Sequence, residues 1–158
     1  MIRIFAPGLP VPGGSKRAFV VKGKAVVTDT SGSRGREWRA VLRVAAQTAY
    51  RGLPLHGPLA LTVTFFLPRP KSHYAKNGTL RARAPRWPST RPDATKLLRA
   101  VEDALNRVLW HDDAQIVTQS VGKQYADGGP GLPGGEIGAT IAVDVLEDAP
   151  STLALCGV

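Results

Sequence analysis

The clearest periodic pattern of hydrophobic residues lies between residues 93 and 108. Apolar residues recur there every three or four positions, namely Leu97, Val101, Ala104, Leu105 and Val108. This period predicts a helix with one buried face, beginning near Asp93. A second stretch of helical period, from Trp38 to Ala49, predicts an earlier helix that Gly52 can end.

Other segments show the patterns of strands. Residues 57–68, GPLALTVTFFLP, are rich in β-branched and aromatic side chains and predict a central strand closed by Pro68. Two apolar runs surround Lys22 and Gly23, and they predict a hairpin over residues 18–29. We also expect a short strand near the N-terminus, and a final antiparallel pair of strands at residues 114–127 and 134–147.

The order of these elements is strand, hairpin, helix, strand, long loop, helix, strand, strand. It predicts a small α/β fold, an α+β sandwich in which two helices pack on one face of a mixed sheet. A chain of 158 residues is about one domain. We expect that domain to span residues 1–147, with a C-terminal tail at 148–158 that contains the single cysteine, Cys156.

The sequence shows no pattern of a membrane or secreted protein. No apolar run is long enough to cross a bilayer, and the N-terminus lacks the pattern of a signal peptide. A single cysteine agrees with a reducing compartment. We therefore expect a cytoplasmic protein without a membrane partner.

Charge is distributed unevenly along the chain, whose net formal charge is +9. Residues 1–92 contain 17 lysines and arginines but only two acids, Asp29 and Glu37. Residues 93–158 contain four lysines and arginines against ten acids. This asymmetry indicates a polyanionic partner. The alternative is a solvated basic surface that only keeps the protein soluble.

The basic residues of the first part fall into three groups. Two are small, Lys16 with Arg17 and, at the hairpin tip, Lys22 with Lys24. The third lies in the predicted long loop at 68–92, and loops of this length are usually functional or mobile. It consists of Arg69, Lys71, Lys76, Arg81, Arg83, Arg86 and Arg91. Because no recognition-helix pattern is evident, we expect contacts to the nucleic-acid backbone rather than to base edges.

Trp87 lies in the same loop. It either stacks on an unpaired base or covers apolar surface at the base of the loop. The residues alone leave both interpretations open.

Acidic residues are grouped on both sides of the second predicted helix. Asp93 lies at its start, and Asp112 and Asp113 lie just after its end. If the chain turns back after the helix, the three carboxylates can meet at one end of the sheet. Carboxylates together with a phosphate can bind Mg²⁺, and divalent cations assist phosphodiester hydrolysis. The alternatives are that Asp93 only caps the helix and that the aspartate pair only forms a turn.

Several other kinds of site are missing from the sequence. His56, His73 and His111 do not have the spacing of a zinc motif. There is no nucleophile elbow and no glycine-rich phosphate-binding fingerprint. His111 stands next to the acid pair, where it either orients a water or contacts a phosphate, or is a polar turn residue.

The stretch RPDATKLLRAVEDALNRVLWHDDAQIV, residues 91–117, resembles the motif of the RusA-type Holliday junction resolvases, a family of phage-associated endodeoxyribonucleases. Asp93 matches the acid that opens the family's helix. DAL stands at 103–105, and DDAQIV stands at 112–117. The segments PGLPVPGGSKR and FFLPRPKSH are also similar to family segments, so the resemblance covers roughly residues 4–147.

Two positions differ from the family's pattern. Thr95 stands where the family has a second Asp, and Arg99 stands where it has a Lys. Threonine keeps an oxygen but loses the charge, and arginine keeps the charge but cannot donate a proton near neutral pH. Glu102 lies on the same predicted helix face as both residues, and it is therefore a further candidate metal ligand.

The resemblance implies a RusA-like fold and a Mg²⁺- or Mn²⁺-dependent endodeoxyribonuclease that resolves four-way or other branched DNA in recombination and repair. It implies metal binding by Asp93, Asp112 and Asp113, neutralisation of the scissile phosphate by Arg99, and a homodimer. It also implies a bacterial or phage-encoded origin.

Two alternatives to an active nuclease remain. The first is a catalytically weakened or inactive junction-binding protein of the same fold, in which Thr95 marks the lost ligand. The second is a basic protein associated with RNA or ribosomes.

Overall fold

The strand at the centre of the fold is β4, Leu59–Leu67. Alternate residues of a strand point to the same face, and here five of them are buried: Leu59, Leu61, Val63, Phe65 and Leu67. Strands pair with β4 on both of its edges. The prediction of a central strand over residues 57–68 is therefore confirmed.

The computed structural model describes residues 1–14, 16–29, 32–128 and 135–147. For the strands of the hairpin it describes the backbone and only some of the side chains. The tail predicted at 148–158, with Cys156, lies outside the described residues. Among the described residues, no helix is long and apolar enough to cross a membrane.

Four strands form a mixed sheet in the order β1-β6-β4-β5, where β1 is Ile2–Pro7, β5 is Ile116–Tyr125 and β6 is Gly138–Val145. β6 is antiparallel to both β1 and β4, whereas β5 is parallel to β4. The predicted antiparallel pairing of the last two strands is wrong, because β4 lies between them. β5 is left at the edge of the sheet.

The predicted hairpin is confirmed and forms a second, two-stranded sheet. β2, Lys16–Val21, is antiparallel to β3, Lys24–Asp29. The turn residues Lys22 and Gly23 both have positive φ, 49° and 76°. Two left-handed residues suit the right-handed twist of the flanking strands.

Two helices cover one face of the four-stranded sheet. α1 is Gly32–Ala49 and α2 is Ala94–Leu105. Their buried residues join the apolar side chains of the sheet in a single core, to which α1 contributes Trp38, Leu42 and Ala46, and α2 contributes Leu97, Val101 and Ala104. The predicted α+β fold with a mixed sheet is confirmed.

Helix α2 is shorter than its hydrophobic pattern predicts. It ends at Leu105 instead of Val108, because Arg107 adopts a left-handed conformation with φ 62°, as residues after helix ends commonly do. The following turn carries Leu109 and Trp110, which are both fully buried. The chain then reverses, and β5 packs beside α2.

Candidate active site at the two ends of helix α2

Helix α2 and strand β5 run side by side in opposite directions, so each end of α2 meets a different part of β5. Lys123 Nζ donates hydrogen bonds to the backbone oxygens of Thr90 and Pro92, at 2.9 and 2.8 Å, just before the helix begins. Four residues earlier in β5, Gln119 donates to the Glu102 carboxylate near the end of the helix. With a rise of about 1.5 Å per residue, these contacts lie roughly 15 Å apart.

At the first end, Asp93 is the N-terminal cap residue of α2. Its side chain makes no capping hydrogen bond, and Oδ2 lies 3.6 Å from Lys96 Nζ. Both side chains are about half exposed. An open groove of about 400 Å³ lies here, lined by Pro12, Arg91, Pro92, Asp93 and Lys96. The carboxylate is therefore accessible beside basic side chains.

At the second end, both aspartates of the acid pair have partners within the protein. Asp113 Oδ1 accepts a hydrogen bond from the indole Nε1 of the buried Trp110 at 2.8 Å. Asp112 Oδ1 accepts from Ala114 N at 2.8 Å and caps the short 3-10 helix Asp113–Gln115. An ionised carboxylate can accept several hydrogen bonds, so these contacts do not exhaust either group.

Glu102, on the last turn of α2, has a pKa raised above its ordinary value. Partial burial is the main cause, and the negative charges of Asp113 and Asp103 act in the same direction. The hydrogen bond from Gln119 and the charge of Arg99 partly offset this rise.

On α2, Glu102 lies one helical turn after Arg99, and the charges of Asp113 and Arg99 both influence its pKa. Asp93 lies at the opposite end of α2, because β5 begins beside the end of the helix and not beside its start. Across the described ranges, no group of three or more His, Cys, Asp or Glu side chains is placed to hold a metal ion. The expected meeting of Asp93 with the aspartate pair is therefore not seen within one chain. The roles of these residues as ligands stay predictions.

Thr95, at the position of the family's second aspartate, is exposed. It lies one turn before Arg99, which is also exposed, on the same helical face. Both side chains are thus on the surface of α2 between the two ends, and their predicted roles are untested.

Gln115 was missed by the sequence interpretation. Its Oε1 accepts hydrogen bonds from the backbone N–H groups of His111 and Asp112, at 2.8 and 3.1 Å. Its Nε2 donates to the backbone oxygens of Leu55 and Gly57, at 3.0 and 3.1 Å. The signal was present, since Asp112 and Gln115 have the spacing of a capping box. Gln115 joins the acid pair to the segment before β4.

The same segment brings His56 against His111, which sequence spacing did not predict. The two Nε2 atoms are 3.2 Å apart, and the ring centroids are 4.4 Å apart at an angle of 41°. Both side chains are exposed. Lys123 was also missed, and a lysine inside a strand carries no signal of such a contact.

Arg69 differs from the other basic residues of the loop at 68–92. It is only 8% exposed, and its guanidinium donates to Asp127 Oδ2 and to Pro85 O, both at 2.6 Å. The same group stacks 3.9 Å above the centre of the Tyr125 ring. Arg69 was predicted to face DNA with the other basic residues of the loop, but its side chain is buried and its charge is bonded inside the protein, where it anchors the loop.

Asp127 completes this anchor. Tyr74 donates its hydroxyl to Asp127 Oδ2 at 2.5 Å, and this hydrogen bond, together with burial, raises the pKa of Tyr74. Burial alone would raise the pKa of Asp127, but the hydrogen bonds from Arg69 and Tyr74 outweigh burial and lower it.

The remaining basic residues of the loop are exposed: Lys71, Lys76, Arg81, Arg83, Arg86 and Arg91. Trp87 is 50% exposed, and the Arg86 guanidinium lies 5.3 Å from its ring centre. Lys22 and Lys24 are exposed at the hairpin tip. The side chains of Lys16 and Arg17 lie outside the described part. DNA contacts by these residues stay predictions.

These features define a small, basic α+β protein with carboxylates at both ends of one helix and an exposed basic loop. Residues 7–133 match the endodeoxyribonuclease RusA family, and the chain belongs to this family. The predicted family is thus confirmed, and membership implies an endodeoxyribonuclease of the Holliday junction resolvase kind.

The chain is also similar to the uncharacterized protein YqaN of Bacillus subtilis (strain 168). The two are 31% identical over 134 residues, which cover 80% of this chain and 89% of that protein. The similarity therefore extends over most of both chains.

Proposed function

We propose that the protein is a divalent-metal-dependent endodeoxyribonuclease that cuts four-way or other branched DNA. The observation that carries the proposal is the match of residues 7–133 to the endodeoxyribonuclease RusA family, in a chain that places Asp112 and Asp113 directly after α2. Burial and the charge of Asp113 raise the pKa of Glu102. A divalent cation would relieve that repulsion, and Mg²⁺ and Mn²⁺ accept carboxylate and phosphate oxygens as ligands.

The proposed ligands at this end are Asp113 and Asp112, and Glu102 is a further candidate on the neighbouring helix. Mg²⁺ or Mn²⁺ bound there would supply water activation and charge neutralisation for hydrolysis of the phosphodiester. Arg99, one turn before Glu102 on an exposed helix face, would neutralise negative charge on the scissile phosphate. Asp93 stays a proposed ligand, although it lies at the other end of α2.

The exposed basic residues of the loop at 68–92 support DNA as the substrate. Arg91 lines the groove at the first end of α2, and these residues together would bind the phosphate backbone, which makes affinity strongly dependent on salt. A homodimer is proposed because a four-way junction is cut symmetrically in two strands, and C2 symmetry would place two such surfaces on one assembly. We also propose that the protein is cytoplasmic and is encoded by a bacterium or a phage.

The experiment that tests the proposal is cleavage of a synthetic four-way junction in Mg²⁺ and in Mn²⁺. We expect paired, symmetric nicks from the wild type. Asp113→Asn keeps an oxygen that can accept from Trp110 but loses the charge, so cleavage should fall at least about 100-fold, beyond the loss typical of outer-sphere partners. Asp93→Asn, measured in parallel, shows whether the carboxylate at the other end takes part.

Glu136→Gln is the matched control, because it neutralises an exposed carboxylate in the segment before β6. Its cleavage should stay near that of the wild type. Junction binding without cleavage in either metal would overturn the proposed nuclease activity and leave a junction-binding protein of the same fold. Tight binding to RNA with no preference for branched DNA would favour the RNA-associated alternative.

A further inference from the structure

We infer that His56 and His111 form a two-histidine binding site for a divalent transition-metal ion such as Zn²⁺. The site is separate from the proposed Mg²⁺ site, because imidazole nitrogen suits zinc, nickel and copper, whereas Mg²⁺ prefers oxygen ligands. It does not depend on the nuclease activity proposed above.

The distance between the two nitrogens fits one shared ion. Zn²⁺ binds histidine nitrogen at about 2.0–2.1 Å. Two such bonds to nitrogens 3.2 Å apart would enclose an angle of about 100° at the metal, close to the tetrahedral value of about 109° that zinc prefers. The observed separation therefore needs little rearrangement to accept the ion.

The relative orientation of the rings is not that of a linear hydrogen bond between them. The ring centroids are 4.4 Å apart and the ring planes are inclined by 41°. Rings joined head to head by a linear N–H···N hydrogen bond would hold their centres further apart, because each centre lies behind its nitrogen. The two rings instead approach at an angle, with both Nε2 atoms at the near side.

The backbone that carries the two histidines is already held in place. Gln115 bonds the backbone on both sides of His56, at Leu55 O and Gly57 O, and also accepts from His111 N. Leu55 N donates to Leu109 O at 2.8 Å. Because these hydrogen bonds already order the two segments, an ion that binds here loses little free energy to ordering them.

Both histidine side chains are exposed, so water can complete the coordination sphere. A bound ion would join the segment before β4 to the turn before β5 and would raise the stability of the folded protein through mass action. The expected consequence is a melting temperature that rises with Zn²⁺ concentration and does not rise with Mg²⁺ at the same concentrations.

The test is calorimetric titration of the full chain with Zn²⁺ alone, without DNA. His56→Ala and His111→Ala should each weaken Zn²⁺ affinity more than about 10-fold, because each removes one of two direct ligands, which matter more than outer-sphere partners. Each variant should also lose the Zn²⁺-dependent rise in melting temperature. Because both residues are exposed, the melting temperature without zinc should stay near that of the wild type.

Two controls define the site. His73→Gln changes the third histidine, which packs against Tyr125 away from the pair, and should leave Zn²⁺ affinity unchanged. Asp113→Asn should also keep Zn²⁺ binding while it loses Mg²⁺-dependent cleavage, which separates this site from the proposed catalytic one. Equal Zn²⁺ affinity in the wild type and His111→Ala would overturn the inference, as would retention of zinc in His56→Ala.

Discussion

The two ends of the parallel pair β4–β5 have opposite chemistry. Near the ends of these strands, Arg69 is bonded to Asp127, and Lys123 and Arg91 lie at the start of α2. Where the strands begin, Glu102, Asp112 and Asp113 gather near the end of α2, beside the histidine pair. The basic loop that leads into α2 and the acid pair that follows it thus lie at opposite ends of the helix.

The difference shows that charge alone does not identify the residues that meet a substrate. At the basic end, Arg69 is buried and bonded within the protein, while its neighbours in the loop are exposed. At the acidic end, Asp112 and Asp113 each accept a hydrogen bond that supports the local fold. Each end therefore combines structural charges with charges that remain accessible.

The largest expected effect on stability concerns the anchor at the basic end. Arg69→Met removes two charge-assisted hydrogen bonds, to Asp127 and to Pro85 O, and we expect the free energy of unfolding to fall by roughly 3 kcal/mol. Arg83→Met, an exposed change in the same loop, should stay within about 0.5 kcal/mol of the wild type. Urea denaturation measures both. Equal effects would show that the two arginines do not differ as the structure indicates.

The same pair predicts a dependence on pH. The lowered pKa of Asp127 in the folded protein means that its contribution to stability is present above its unfolded pKa and is lost as pH falls through the folded value. The stability difference between wild type and Arg69→Met should therefore shrink in acid.

A smaller effect is expected at the acidic end, where structural and proposed catalytic roles fall on one residue. Asp113→Ala leaves the buried indole N–H of Trp110 without this acceptor, which should cost about 1–3 kcal/mol. Asp113→Asn retains an oxygen at the same place and should cost less. Urea denaturation of the two variants separates the structural role of Asp113 from its proposed catalytic role. If Asp113→Ala lowers the free energy of unfolding no more than Asp113→Asn does, the hydrogen bond from Trp110 to Asp113 does not contribute to stability.

The smallest effect is expected from Glu102→Gln. The raised pKa of Glu102 in the folded protein means that its contribution to stability is present below its unfolded pKa and is lost as pH rises through the folded value. Glutamine does not titrate, so the variant should melt slightly higher than the wild type at pH 7 and no higher at pH 4. Melting curves in EDTA, which removes bound cations, test this. If the difference in melting temperature between the variant and the wild type is the same at pH 4 and pH 7, the ionisation of Glu102 is not its cause.

Sequence periodicity predicted the elements well where the pattern is local. The buried stripe of α2 and the alternation in β4 both reflect side chains that face one core, and the hairpin turn follows from Lys22 and Gly23. The early end of α2 at Arg107 was not predicted, because arginine carries no general preference for a left-handed conformation.

Contacts between distant segments were beyond the sequence patterns. The pairing of β5 and β6 depends on β4 lying between them, and no local pattern states which strand takes the middle position. The same holds for the site: His56 is brought to His111 and Glu102 to Asp113 by the reversal of the chain after α2. The spacing of DDAQ indicated the acid pair and, through the capping box, could have indicated Gln115.

The position of β6 has a consequence for synthesis on the ribosome. β6, the last strand of the described chain, is inserted between β1 and β4 and pairs with both, for example Ile141 with Ile4 and with Val63. Until residues 138–145 have emerged, neither β1 nor the apolar β4 has its neighbour on that edge. Such long-range pairing closes late and slowly. The nascent chain must therefore hold its most hydrophobic strand incompletely paired until nearly the whole described chain has been translated.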